Sequence, residues 1–141
     1  MSSDRSIRIL LHSNSASVGR IIRKLLNEIG FHNIDEAENS QMALEKLTAS
    51  SYGFVISDWE TPRMASIGLL QAIRAKPEMC ELPFMMFTAE SMPQNIPPAM
   101  SSGASGFFTW PWTASLLDKK ISDIFEKKRG SAVAMSPTRR Q

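Results

Sequence analysis

Phe54-Val55-Ile56-Ser57-Asp58-Trp59-Glu60-Thr61-Pro62 decides how this chain is read. Residues 54–57 form an apolar run of strand length, as expected of a strand covered on both faces. Trp59 to Pro62 then turn the backbone sharply, so Asp58 stands at the carboxyl end of a buried strand. Open α/β sheets bind ligands and do chemistry in the crevice beyond such ends, which makes the position favourable for a functional acid. The strand expected beside it ends in His12-Ser13-Asn14, with no acid among the three.

Outward from this stretch the hydrophobic period alternates between strand and helix, which predicts an α/β fold with a parallel sheet covered on both faces. Ile7 to Leu11 reads as the first strand. Val18, Ile21, Ile22, Leu25, Leu26 and Ile29 recur at helical spacing, and Gly30 supplies the left-handed residue that ends a helix. Ile34 to Ala37 is the second strand, after which Asn39 or Ser40 caps a helix that carries Met42, Ala43 and Leu47 inward. A third helix is expected at 67–75, strands at Phe84 to Phe87 and Gly106 to Thr109, and a final amphipathic helix through Leu117, Ile121, Ile124 and Phe125. Between the last two strands, Met92 to Met100 stands where another helix belongs. Proline inside a helix costs about 3 kcal/mol or more, so Pro97-Pro98 predicts that this element is shortened or displaced.

The chain has 141 residues, 43% hydrophobic and 21% charged, which fits one domain with a real core. Its net charge of +2 comes from the end of the chain: residues 1–128 hold 13 basic and 14 acidic side chains. The body therefore lacks the basic excess that phosphate-backbone binding needs, and nucleic acid is not expected as a partner. We expect an N-terminal arm at 1–6, a folded domain at 7–128 and a disordered basic tail at 129–141. No basic-then-apolar segment opens the chain and no apolar run approaches the roughly 20 residues of a membrane span, so a cytoplasmic setting without membrane insertion is expected. Cys80 has no partner for an internal disulfide and is expected as a partly buried small hydrophobe. His12 and His32 have no second ligand at metal spacing and read as core or solvated histidines.

Five segments in order carry a resemblance: Gly30 to Glu38, Tyr52 to Trp59, Thr88-Ala89-Glu90, Gly103-Ala104-Ser105-Gly106 and Ile124-Phe125-Glu126-Lys127. Together they resemble the receiver domains of bacterial two-component response regulators, nearest to the single-domain chemotaxis type, over about residues 5–128. The resemblance implies a flavodoxin-like, doubly wound five-stranded parallel sheet in the order 2-1-3-4-5, with five helices of which the fourth is shortened or displaced. It also implies roles by position. Asp58 is the phosphoacceptor, Thr88 and Ala89 are the phosphate-contact positions, and Phe107 is the switch aromatic. The family holds Mg²⁺ with an acid pair after strand one, the acceptor and a backbone carbonyl two residues beyond it. In this chain those positions are Ser13 and Asn14, Asp58, and Glu60. The family's lysine after strand five falls on Trp110.

Both charge-handling devices are therefore replaced, at Ser13 and Asn14 and at Trp110. Mg²⁺ is a hard, strongly hydrated cation, and Asn14, Asp58 and Glu60 would offer it one side-chain anion. Phosphoryl transfer depends on neutralising charge at the transferred oxygens, and most of that neutralisation is gone. The chain shows no paired acids, nucleophile–base pair or glycine-rich phosphate loop, so it is not expected to be an enzyme. The expected function is an atypical, phosphorylation-impaired receiver that binds proteins, docking through Pro97, Pro98, Trp110 and Trp112 as an exposed output surface. Its implied partners are a histidine kinase or a downstream signalling or motility protein. No cofactor is expected, with Mg²⁺ needed if the site still works. The alternative is a chemotaxis-type switch phosphorylated on Asp58 by a histidine kinase, with Asn14, Thr88 and Arg63 covering the lost charges, although an arginine one residue past Pro62 reads first as solvated.

Overall fold

The computed structural model describes residues 5–59, 63–88, 103–109 and 112–134, with side chains throughout except at 63–65 and 127–134. In chain order the elements are β1 (Ile9–His12), α1 (Ala16–Glu28), β2 (Ile34–Ala37), α2 (Ser40–Ala49), β3 (Phe54–Asp58), α3 (Arg63–Arg74), β4 (Phe84–Thr88), β5 (Gly106–Thr109) and α4 (Ala114–Ala134). The strands make one parallel sheet ordered β2-β1-β3-β4-β5, the flavodoxin-like arrangement that the resemblance implied.

Strand alternation distributes the apolar residues to two cores. Leu10, Val55, Phe84, Met86 and Phe107 face one side, where Ala43 and Leu47 of α2 and Leu69, Leu70 and Ile73 of α3 cover them. Ile9, Leu11, Phe54, Ile56, Met85, Phe87 and Phe108 face the other, under Ile22 and Leu26 of α1 and Leu117, Ile121 and Ile124 of α4. Each such side chain contributes about 1.5–3 kcal/mol when fully removed from water, so the strands have no reason to expose either face. β5 carries Gly106 where α4 crosses it, and a Cβ there would stand 2.8 Å from Ile124 Cδ1.

The helix ends follow the local sequence. Asn39 is the cap of α2, its side chain accepting from the Met42 N–H at 2.8 Å. α1 closes in a Schellman turn: Gly30 N–H donates to Asn27 O at 3.1 Å, Phe31 N–H to Leu26 O at 2.9 Å, and Gly30 takes φ +100°. Leu26 and Phe31 both end in the same core, which is the apolar contact that usually accompanies this turn.

Some boundaries differ from the expectation. β1 starts at Ile9 rather than Ile7, because the ladder begins where Ile9 N–H meets Asn33 O at 2.9 Å. α3 starts at Arg63, before the expected 67. α4 continues past 128 to Ala134, so the expected tail is helical at its start. Gly130 lowers helix propensity by about 1 kcal/mol, which the good helix formers Lys127, Lys128, Arg129, Ala132 and Ala134 around it can offset. Cys80 is exposed rather than partly buried. Arg5, assigned to an arm, is tied down by an ion pair to Asp118 at 3.0 Å and lies 4.7 Å over the Phe31 ring. The displaced helix expected at 92–100, with Pro97 and Pro98, lies outside the described residues.

The α2/α3 side of the sheet carries a polar thread. His12 Nδ1 lies 2.8 Å from Ser57 Oγ, Ser57 Oγ lies 3.2 Å from Ser66 Oγ, and Ser66 Oγ donates to Asp58 O at 2.5 Å. All three side chains are fully buried. Burial holds His12 neutral, pushing its pKa down from 6.5 to about 4. Between those values the unfolded chain binds a proton that the folded chain refuses, so stability rises with pH across this window and falls on acidification. Unfolding free energy should drop by about 3 kcal/mol from pH 6.5 to pH 4 on account of this histidine. Urea unfolding of the wild type and His12→Val across that range checks it: the difference between the two should vary with pH, and a constant difference would refute a neutral buried imidazole.

Candidate functional site

Asp58 closes β3 with 5% of its surface exposed. Two backbone bonds extend the ladder one residue beyond the strand ends, Ser13 N–H to Ala37 O at 3.1 Å and Trp59 N–H to Phe87 O at 2.7 Å. The first ties β1 to β2 and the second β3 to β4, while the β1–β3 register sets His12 beside Ser57; Ser13 Oγ then comes to 3.1 Å from Asp58 Oδ2. The Ser13 hydroxyl has one proton and two acceptors in reach, the carboxylate and Ser15 O at 3.4 Å. The shorter distance and the charged acceptor direct it to Asp58. Its lone pair takes the Ser15 N–H at 3.2 Å, and Ser15 in turn caps α1 by accepting from Val18 N–H at 3.3 Å. The serine that meets the acid is thus oriented by the turn that starts α1.

Of the other positions singled out by sequence, Asn14 is exposed at the mouth of the crevice. Thr88 closes β4 and is fully buried; because Asp58 pairs with Phe87, Thr88 stands one residue further along. Glu60, Ala89 and Trp110 lie outside the described residues. Asp58 and Asn14 give the crevice one carboxylate, already engaged by Ser13, and one neutral amide. Among the described residues no three His, Cys, Asp or Glu side chains group as metal ligands. Mg²⁺ demands a near-octahedral oxygen shell and usually one or two carboxylates besides phosphate, and this donor set fits it poorly.

Both described aromatics of the expected switch and output surface are turned inward. Phe107 is buried against Trp59, ring centroids 5.9 Å apart and edge-on. Trp112, expected as half of an exposed pair, is half-buried. Its ring meets Phe87 edge-on at 5.5 Å and its Nε1–H donates to Thr88 O at 3.2 Å. The indole packs its apolar body on Phe87 and satisfies its N–H on the carbonyl at the end of β4, as a partly buried Trp requires.

Ser57 and Ser66 were not among the sequence candidates, although a signal existed. Ser66 occupies the same helical stripe as Leu69, Leu70 and Ile73, a core-facing position where a hydroxyl needs a partner. His12 likewise continues the face of Leu10 along an alternating strand. Two polar residues at core-facing positions of neighbouring elements are the pattern of a buried pair.

Comparisons with known proteins agree with this architecture. Residues 9–122 match the response regulator receiver domain family. The chain is 36% identical over 124 residues to the chemotaxis protein CheY-3 of Vibrio cholerae, covering 88% of this chain and 95% of that protein. It is 37% identical over 124 residues to the chemotaxis protein CheY of Pseudomonas aeruginosa, covering 88% of this chain and all of the relative at 100%. Among solved structures, the chemotaxis response regulator CheY4 of Vibrio cholerae superposes with a TM-score of 0.75 at 23% identity, over 84% of this chain and 98% of that one. A putative response regulator from Chloroflexus aurantiacus gives 0.80 at 19% identity, over 86% and 98%. A sheet ordered β2-β1-β3-β4-β5, an acid closing β3 and a threonine closing β4 accompany these matches, and the chain belongs to the response regulator receiver domain family.

Proposed function

We propose that this chain is an atypical receiver, a signalling module that works by binding proteins and takes up phosphate on Asp58 poorly. The observation that supports it is the Ser13 hydroxyl 3.1 Å from Asp58 Oδ2, where a cation would have to act. Phosphorylation converts the singly charged Asp58 carboxylate into an acyl phosphate carrying roughly two negative charges, on a residue that is 5% exposed. Hydrogen bonds to a charged group contribute about 1.5–3 kcal/mol each, whereas a buried ion lacking its counter-charge costs several kcal/mol. Hydroxyls from Ser13 and Thr88 and the Asn14 amide therefore hold an anion less well than Mg²⁺ and lysine would. Partner binding then depends on the shape that the domain already has.

The relatives' names say chemotaxis, and the setting we propose for this chain from the family resemblance is a histidine kinase on the input side and a signalling or motility protein on the output side, in the cytoplasm. Such a module acts through contacts and not through turnover of a substrate. Outside the terminal arginines its charge is close to balanced, which suits a protein surface better than a nucleic acid.

Incubation with Mg²⁺ and acetyl phosphate, followed by intact mass measurement, tests the proposal. A minor adduct is expected from the wild type. A stoichiometric adduct that disappears in Asp58→Asn would establish the alternative, a working phosphoacceptor switch. Restoring the family's charges with Ser13→Asp, Asn14→Asp and Trp110→Lys together should tighten Mg²⁺ binding by at least about 10-fold, equivalent to about 1.4 kcal/mol. Titration calorimetry reads this, and unchanged affinity in the triple variant would mean that the pocket has been placed wrongly.

A further inference from the structure

His12 and Ser13 are consecutive on one strand, Ser57 and Asp58 are consecutive on its neighbour, and both pairs are bonded across the gap. His12 meets Ser57 at 2.8 Å and Ser13 meets Asp58 at 3.1 Å. Because side chains alternate along a strand, the two rungs lie on opposite faces of the sheet. The rung on the α2/α3 side continues: Ser57 meets Ser66 of α3, and Ser66 returns to the Asp58 carbonyl. The segment between Asp58 and Ser66 is thereby closed at its base by a side chain of α3.

The proton order in this thread is fixed from one end. A carbonyl can only accept, so the Ser66 proton goes to Asp58 O. Ser66 Oγ must then accept from Ser57, and Ser57 Oγ from His12, which places the imidazole proton on Nδ1. Nε2 is left without its proton, and it has no hydrogen-bond partner among the described residues. That assignment is also the economical one. An acceptor without a partner is tolerated in protein interiors more readily than an orphaned N–H.

We propose that His12, Ser57 and Ser66 are positioning residues for Asp58, a one-directional chain of neutral hydrogen bonds that cross-links β1, β3 and α3 beneath the acid and keeps the crevice ordered without a cation. The proposal deepens the reading of the site as one stripped of charge and rests on it: a site whose order came from bound Mg²⁺ would not need the thread. None of the three touches the reacting carboxylate. They act through the Asp58 backbone and, on the other face, leave Ser13 to orient its side chain.

Nitrogen-15 labelling of histidine in the full chain, read by long-range imidazole correlations in EDTA, tests the thread directly. His12 should show a protonated Nδ1 and a bare Nε2; the reverse tautomer would overturn the proposal. In Ser66→Ala, loss of the two bonds that Ser66 makes, from Ser57 and to Asp58 O, should speed exchange of the Nδ1 proton with water by at least roughly 5-fold. The backbone amides of Asp58 and Trp59 should shift in the same variant, and Ser66→Thr, which keeps a hydroxyl, should restore both signals. Asp58 and Trp59 amides unmoved in Ser66→Ala would reduce the thread to a structural bond without a positioning role. Adding MgCl₂ to the wild type separates the two readings. Saturable shifts at Ser13 and Asp58 would sink the charge-stripped site while the tautomer result still stands or falls alone, and should Ser66→Ala fail to fold, the wild-type tautomer still decides the chain.

Discussion

A carboxylate brought almost wholly out of water has to be met by donors, and at Asp58 one of them is the Ser13 hydroxyl at 3.1 Å. Much of the surrounding structure follows from where that hydroxyl can be held. Ser13 is fixed by Ser15 N–H, Ser15 is the cap of α1, and α1 lies across the sheet through Ile22 and Leu26. The acid, the end of β1 and the first turn of α1 therefore form one mechanical unit. A loss of the α1 cap, ordinarily a matter of about 1 kcal/mol of helix stability, would here be felt at the acid as well.

The paired rungs also constrain the sheet. A slip of β1 by one residue against β3 would turn its faces over, carrying His12 into the α1/α4 core and pulling Leu10 out of the opposite one. In a sheet buried on both sides the apolar residues alone specify register weakly, because both faces accept Leu, Ile, Val and Phe. Two polar contacts on opposite faces remove that freedom, since a mispaired serine or histidine would be buried without a partner.

How much of this was legible in the sequence depends on the range of the interaction. The strand at 54–58, the helical stripe from Val18 to Ile29 and the Gly30 stop are local patterns, and each became the expected element. Asp58 at a strand end is also local, and the missing acids at Ser13 and Asn14 needed just the alignment of two strand ends. The thread was not legible as a thread because it joins positions 45 and 9 residues apart, and a single sequence shows that a residue is polar, not what it faces. Trp112 was misjudged for a related reason. Trp110 and Trp112 flank a proline and were not both expected to be buried, and how far Trp112 turns in is decided by Thr88 O and Phe87, residues on another strand.

The inward turn of these aromatics bears on how such a domain could signal. Phe107 is held against Trp59 on one face of the sheet, and Trp112 joins Phe87 to the Thr88 backbone on the other. Moving either ring outward would expose a large apolar side chain and, for Trp112, break a hydrogen bond, at a combined cost of several kcal/mol. A phosphoryl group well held by cations could supply energy on that scale; a neutral donor such as the Ser13 hydroxyl supplies less. A partner, in contrast, can shift the balance by its own differential affinity for the two arrangements. On the proposed reading, a receiver packed in this way is read in its standing conformation, with the partner rather than the phosphate providing the free energy for any change.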